Sequence, residues 1–221
     1  MIRPWQTIFS EAVSLKALRT AAVLTFALAA ASSHAFVVSI SAGTQSLYLQ
    51  VGAGTMTGGG GRFDSGGVPG NNATVNSVSV TVPAASLGAG TRAMATNSTV
   101  TISPYDSFVF CSVPSQVYVG GFYRTPGAAS NATLTVTAPS TLVSGAGNTI
   151  AFNTISWISG GNADTSATIP SGTFVGGATQ TLLSVARNTW FESCLQFNYA
   201  NAQLVPAGTF NGRVSYTLTA P

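Results

Sequence analysis

"GRVSYTLT", residues 212–219, puts Val214, Tyr216 and Leu218 on one parity and Arg213, Ser215, Thr217 and Thr219 on the other. An apolar residue at every second position marks a strand with one face in a core and the other in water. The same period recurs upstream. No stretch after residue 35 carries the apolar spacing of an amphipathic helix. Strand-like runs fall at 37–41, 46–51, 74–82, 98–103, 108–113, 116–123, 132–138, 149–159, 179–185, 192–200 and 212–219. Pro83, Pro104, Pro114, Pro126, Pro139, Pro170 and Pro206 sit at run ends, where a missing N–H costs no ladder bond. About eleven short strands with turn residues between them predict an all-β chain: a single immunoglobulin-like or jelly-roll-like β-sandwich.

The first 35 residues belong to another class of segment. Arg3, Lys16 and Arg19 precede the apolar run "AAVLTFALAAA" (21–31), and "SHA" (33–35) supplies the small residues that signal peptidase reads. Residues 1–35 are expected to be a signal peptide cleaved between Ala35 and Phe36. The apolar run is short of the roughly 20 residues a bilayer span needs. Residues 36–221 are then one sandwich domain without a transmembrane segment, secreted, periplasmic in transit, and destined for the cell surface or medium. Within it "GAGTMTGGGGRFDSGGVPGNN" (52–72) is too glycine-rich to pack and is expected to be a mobile surface loop.

Charge excludes several functions. After residue 35 the cations are Arg62, Arg92, Arg124, Arg187 and Arg213, and the acids are Asp64, Asp106, Asp164 and Glu192. The single histidine, His34, lies in the leader, and no lysine follows it. Scattered arginines do not make a nucleic-acid surface, which needs clustered cations. "FDSGG" (63–67) is similar to the nucleophile segment of chymotrypsin-type proteases, but that chemistry needs an imidazole to take the serine proton. One aspartate in a glycine loop cannot fill the six or more oxygens that calcium takes. Nothing pairs the four acids for glycosidase chemistry, although Glu192 stands apart from turn signals, next to Cys194. An ion pair with Arg187 or Arg124 is the plain structural role for it. No catalytic residue, metal ligand or cofactor is expected.

Cys111 and Cys194 are the two cysteines of the chain. In an exported protein they read as one disulfide, each cysteine within a strand-like run, so that the bridge ties two strands. Trp190 and Tyr123 are the candidate ligand platform, since an exposed indole suits the apolar face of a sugar.

The ending "VPAGTFNGRVSYTLTAP" (205–221) resembles the last segment of secreted bacterial pilin-like subunits of the spore-coat-U and archaic chaperone–usher type. The matching residues are Pro206, Ala207, Gly208, Thr209, Phe210, Val214, Tyr216 and Leu218. The resemblance implies an incomplete sandwich completed by a neighbour's N-terminal strand, a role that Phe36, Val38 and Ile40 of "FVVSIS" could serve by sharing one face. The functional expectation is a non-enzymatic structural or adhesive surface protein. It would associate with itself or with other surface subunits, and a glycan-binding module is the alternative.

Overall fold

The computed structural model describes residues 40–58, 68–70, 75–161 and 168–221. Residues 1–35, expected to be a signal peptide, the expected cleavage site at Ala35 and Phe36, and Val38 lie outside these residues, as do 59–67, 71–74 and 162–167. The protein is an all-β sandwich of antiparallel sheets. Its largest sheet runs in the order β1 (Ser46–Val51), β7 (Gln116–Arg124), β14 (Thr189–Tyr199), β11 (Ile155–Gly160) and β12 (Gly172–Thr173). A short strand, β5 (Arg92–Ala93), also pairs with the end of β14. A second sheet is β13 (Thr179–Val185), β8 (Ala132–Thr137) and β16 (Ser215–Thr219). The third is β10 (Thr149–Ala151), β9 (Thr141–Ser144) and β15 (Phe210–Asn211). Two ribbons complete the set, β2 (Met56–Thr57) with β3 (Val68–Pro69), and β4 (Val78–Ser79) with β6 (Ala95–Thr96).

The main core forms where the alternation said it would. Ala132, Leu134 and Val136 of β8 meet Val117, Val119 and Tyr123 of β7 and Phe191, Leu195 and Phe197 of β14 in one apolar cluster. Tyr216 and Leu218 of β16 pair in register with Val136 and Leu134 and pack against the same cluster, together with Val214. The threonines of β8 and β16 take the opposite face: Thr133 lies opposite Thr219, Thr135 opposite Thr217, and the Thr137 and Thr179 hydroxyls are 2.8 Å apart. A bulge between Thr181 and Leu183 adds one residue to β13, which is why Leu182 and Val185, three apart, both reach the core.

Several expected strands take another form. Residues 98–103 and 108–113 make no ladder beyond a single bridge between Ile102 and Val109. Ser103 N–H donates to Phe108 O, and Phe110 and Cys111 N–H to Thr101 O, while local side chains take other backbone donors. Ser98 N–H donates to Thr96 Oγ1 (3.0 Å), Val100 N–H to Ser98 Oγ (3.4 Å) and Tyr105 N–H to Ser103 Oγ (3.0 Å). Hydroxyl side chains that bond nearby backbone compete with a ladder in this way. The result is a strap, residues 98–113. The 149–159 run is broken by a 3₁₀ turn at Phe152–Thr154, where Thr154 Oγ1 donates to Ala151 O (2.7 Å). Of the described residues 75–82 only Val78–Ser79 is a strand, and Ile40 lies outside any strand. The glycine-rich segment 52–72 holds both strands of the β2–β3 ribbon.

Candidate functional site: a buried carboxyl beneath a disulfide-tied strap

The largest sheet buries both of its faces around β7 and β14. Odd-numbered residues of these strands enter the main core, and even-numbered ones turn to the far side. There Trp190 and Phe122 pack with Tyr48, while Tyr118 packs with Cys111 and Cys194. The strap covers this second face at four points. Ser103 donates its hydroxyl to the Glu192 carboxyl, and Tyr105 stacks on Trp190 with ring centroids 5.1 Å apart. Phe110 meets Tyr118 edge-on at 6.1 Å, and Cys111 is disulfide-bonded to Cys194 with a Cα–Cα distance of 5.4 Å. The bridge therefore exists as expected, but it ties β14 to the strap rather than strand to strand.

Glu192 is the chemical centre of this face. It is 0% exposed, and its Oε2 accepts from Tyr118 Oη (3.0 Å) and from Trp190 Nε1 (2.9 Å). The cross-strand neighbour of Glu192 is Gly120. A Cβ there would run into the Tyr118 hydroxyl and come within 3.0 Å of Phe191 O, so glycine leaves the space through which Tyr118 reaches the carboxyl. Gly121, beside it, brings β7 so close to β1 that a Cβ would run into the Tyr48 carbonyl oxygen. Burial pushes the Glu192 carboxyl above its ordinary range. The bonds from Trp190, Ser103 and Tyr118 pull the other way, and the Asp106 charge pushes it up again. Burial, reinforced by Glu192, also drives the Tyr118 phenol well up, so it remains a donor. Tyr48 hydrogen-bonds Gln50 through its hydroxyl, and burial pushes its phenol up to about 12.

The sequence-derived residues fall into three groups. Cys111 and Cys194 come together. Val214, Tyr216 and Leu218 line the core side of the final strand region. Ile40 packs against the Tyr48–Phe122–Trp190 cluster, and its N–H donates to Asn188 O at 2.9 Å. The platform of Trp190 and Tyr123 does not form. Trp190 is 0% and Tyr123 1% exposed, and they belong to different cores on opposite faces of the sheet. Neither ring has a surface for a sugar to stack on. Arg187, one of the two partners expected for Glu192, instead donates Nη1 to Gly127 O at 2.9 Å. Arg124, the other, lies over Phe122, with Cζ 5.9 Å from the ring centroid.

A cleft of about 300 Å³ opens beside the strap, lined by Gln50, Thr55, Met56, Thr99, Thr101 and Pro104 among others. Its lining is neutral, with hydroxyls and one amide amid apolar side chains. Among the described residues no group of His, Cys, Asp and Glu is placed to hold a metal ion. Among them also no helix is long and apolar enough to cross a membrane. No family model matches the chain, and no curated protein or solved structure matches it significantly.

Proposed function

We propose that the protein is an exported, non-enzymatic structural or adhesive surface protein that self-associates through sheet edges, as pilin-like subunits do. The observation that carries this reading is β16. Among the described residues it pairs with β8 on one side and with no strand on the other. Natural edges are blunted by lysine, proline, inward charge or bulges, and "SYTLT" contains none of these. The edge strand β1 of the largest sheet lies beside it, so two sheet edges adjoin. The disulfide supports export, because such bridges persist in oxidising compartments. After residue 35 the chain has no histidine, the commonest general acid–base residue, and no lysine.

Strand exchange would use residues that precede Ile40, since Ile40 is seated on its own chain. The test is the exported protein on size exclusion over a range of concentrations, and on SDS gels with and without heating. Assembly through β16 predicts ladders in unheated samples, weakened by Thr217→Lys on the edge strand and abolished by deleting residues 36–39. A single monomeric species under every condition would refute the proposal.

A further inference from the structure

We propose that the outer face of the β13–β8–β16 sheet is an ice-binding surface, whose ligand is the ordered water of an ice crystal. The registers of these strands set side chains in rows across the sheet. Thr179, Thr137 and Ser215 form one row, and Thr181, Thr135 and Thr217 form the next. Ser184, Thr133 and Thr219 form the third. All nine side chains carry a hydroxyl, and seven of them add a threonine methyl. The alternate residues of β8, Leu134 and Val136, lie in the main core, so the hydroxyls face away from it. On β13 and β16 the hydroxyl residues are exposed, while Thr133 and Thr135 of the central strand are half-buried between them. The bulge after Thr181 completes the pattern. Without its additional residue, strict alternation would turn Leu183 outward and Ser184 into the core.

Two further observations point to a lattice as the ligand. The grid repeats in two dimensions, about 4.8 Å from strand to strand and about 6.7 Å from row to row along a strand. These repeats are close to those between oxygen atoms on the faces of hexagonal ice, and a soluble molecule offers no two-dimensional repeat to match them. The grid is also fixed before any ligand arrives, because each row carries a side-chain bond that crosses strands. The Thr137 and Thr179 hydroxyls are 2.8 Å apart, Thr135 Oγ1 donates to Thr217 O (3.4 Å), and Asn131 Nδ2 donates to Ser184 Oγ (2.9 Å). Threonine is stiff at its first side-chain torsion as well. Hydroxyls already in place hold water with little further loss of entropy, which is what preorganisation contributes to binding. The hydroxyls anchor that water and the adjoining methyls cage it, so the held layer can join a growing ice front. Charge is kept off the face. β8, β13 and β16 contain no charged residue, and the nearest along the chain, Arg187 and Arg213, lie beyond the rows. Strand propensity accounts for single threonines. It does not account for a wet face on which lysine, arginine and glutamate, the usual exposed residues, are all missing.

The oxidised exported chain is tested by the thermal hysteresis of a seeded single ice crystal and by partition into slowly grown ice, beside an unrelated globular protein. Ice binding predicts a gap between melting and freezing that widens with protein concentration, a faceted crystal, and enrichment of the protein in the ice. Thr135→Lys, at the centre of the grid, should abolish the gap and the enrichment while leaving the circular dichroism spectrum and urea midpoint unchanged. Ile158→Lys, on the largest sheet where Ile158 is 59% exposed, should keep both. Should Thr135→Lys fail to fold, Thr181→Lys, exposed in the same row, takes its place. No gap and no enrichment would overturn the proposal, and so would equal loss in Thr135→Lys and Ile158→Lys. Retention on crystalline cellulose or chitin without any effect on ice would also overturn it and give the face to a polysaccharide. The surface does not depend on self-association. Monomer isolated by size exclusion should show the gap by itself, so failure here and failure of strand exchange are read separately.

Discussion

Replacing Cys111 and Cys194 together by alanine removes the one covalent tie between the strap and β14. The bridged cysteines are 83 residues apart in sequence. In the chain-entropy account, closing a loop of that length constrains the unfolded ensemble by about 4.5 kcal/mol at 25 °C. Both side chains are almost fully buried, so the alanines also leave a small void beside Tyr118, which adds to the loss. Typical domains have about 5–15 kcal/mol of stability, so the double variant should be folded only marginally. Urea unfolding followed by far-UV circular dichroism, on oxidised natural protein and on the variant, measures the difference. The denaturant slope should rise as well, because the uncrosslinked unfolded chain exposes more surface. A loss below about 1 kcal/mol with an unchanged slope would refute the reasoning. It would mean that the strap is held by Ser103, Tyr105 and Phe110 and that the bridge constrains little.

Gly120→Ala places a methyl group against the Tyr118 hydroxyl and should cost about 1–3 kcal/mol by parting it from Glu192. Tyr118→Phe, measured by the same urea titration, should lose a similar amount, and the double variant should show clear non-additivity. Tyr216→Asp buries a charge against Val136 and should cost at least about 3 kcal/mol, whereas Thr217→Asp on the exposed face should stay within about 0.5 kcal/mol. Equal tolerance of the two would deny β16 its register. Leu134→Ala, at a fully buried centre of β8, should lower stability by about 2–5 kcal/mol in calorimetry or urea unfolding.

Strands that alternate cleanly were legible from sequence, and the physical reason is burial on a single face. β8, β13 and β16 fall within the runs read by period two or differ from them at the ends by a few residues, and β1 and β7 match their runs although both of their faces are packed. The failures share a cause. "STVTIS" alternates as well as β8 does, yet Ser98 and Ser103 are buried and Ile102 is 44% exposed. The period records which residues share a face, but not whether a partner strand is within reach. Where serine and threonine hydroxyls bond nearby backbone, as they do at Ser98, Val100 and Tyr105, fewer donors are left for a ladder. β9, with both Thr141 and Leu142 half-buried, and the two-residue strands β12 and β15 carry too few residues to show any period.

The candidate site was written in β14 in a form that a search for alternation discards. In "TWFESCLQFNY" both parities are largely uncharged. Phe191, Leu195 and Phe197 hold one face, and Trp190, Glu192 and Cys194 the other. A strand apolar on both parities is covered on both sides, as in the middle layer of a stack, and an acid in such a strand cannot reach solvent. The paired glycines of "QVYVGGFY" give the complementary signal from β7, because glycine within a strand marks a close approach. Neither signal names the partner of the other. Glu192 and Gly120 are brought together by the register that sets Phe191 opposite Gly121, and the Tyr118 hydroxyl fills the space between them. That register follows from packing both faces of β14 at once. One face must present Phe191 and Leu195 to β8, and the other must bring Cys194 within reach of Cys111. Sliding β14 by one residue would turn the charge of Glu192 into the main core and the Phe191 ring under the strap, so the disulfide and the main core fix the position of the carboxyl together.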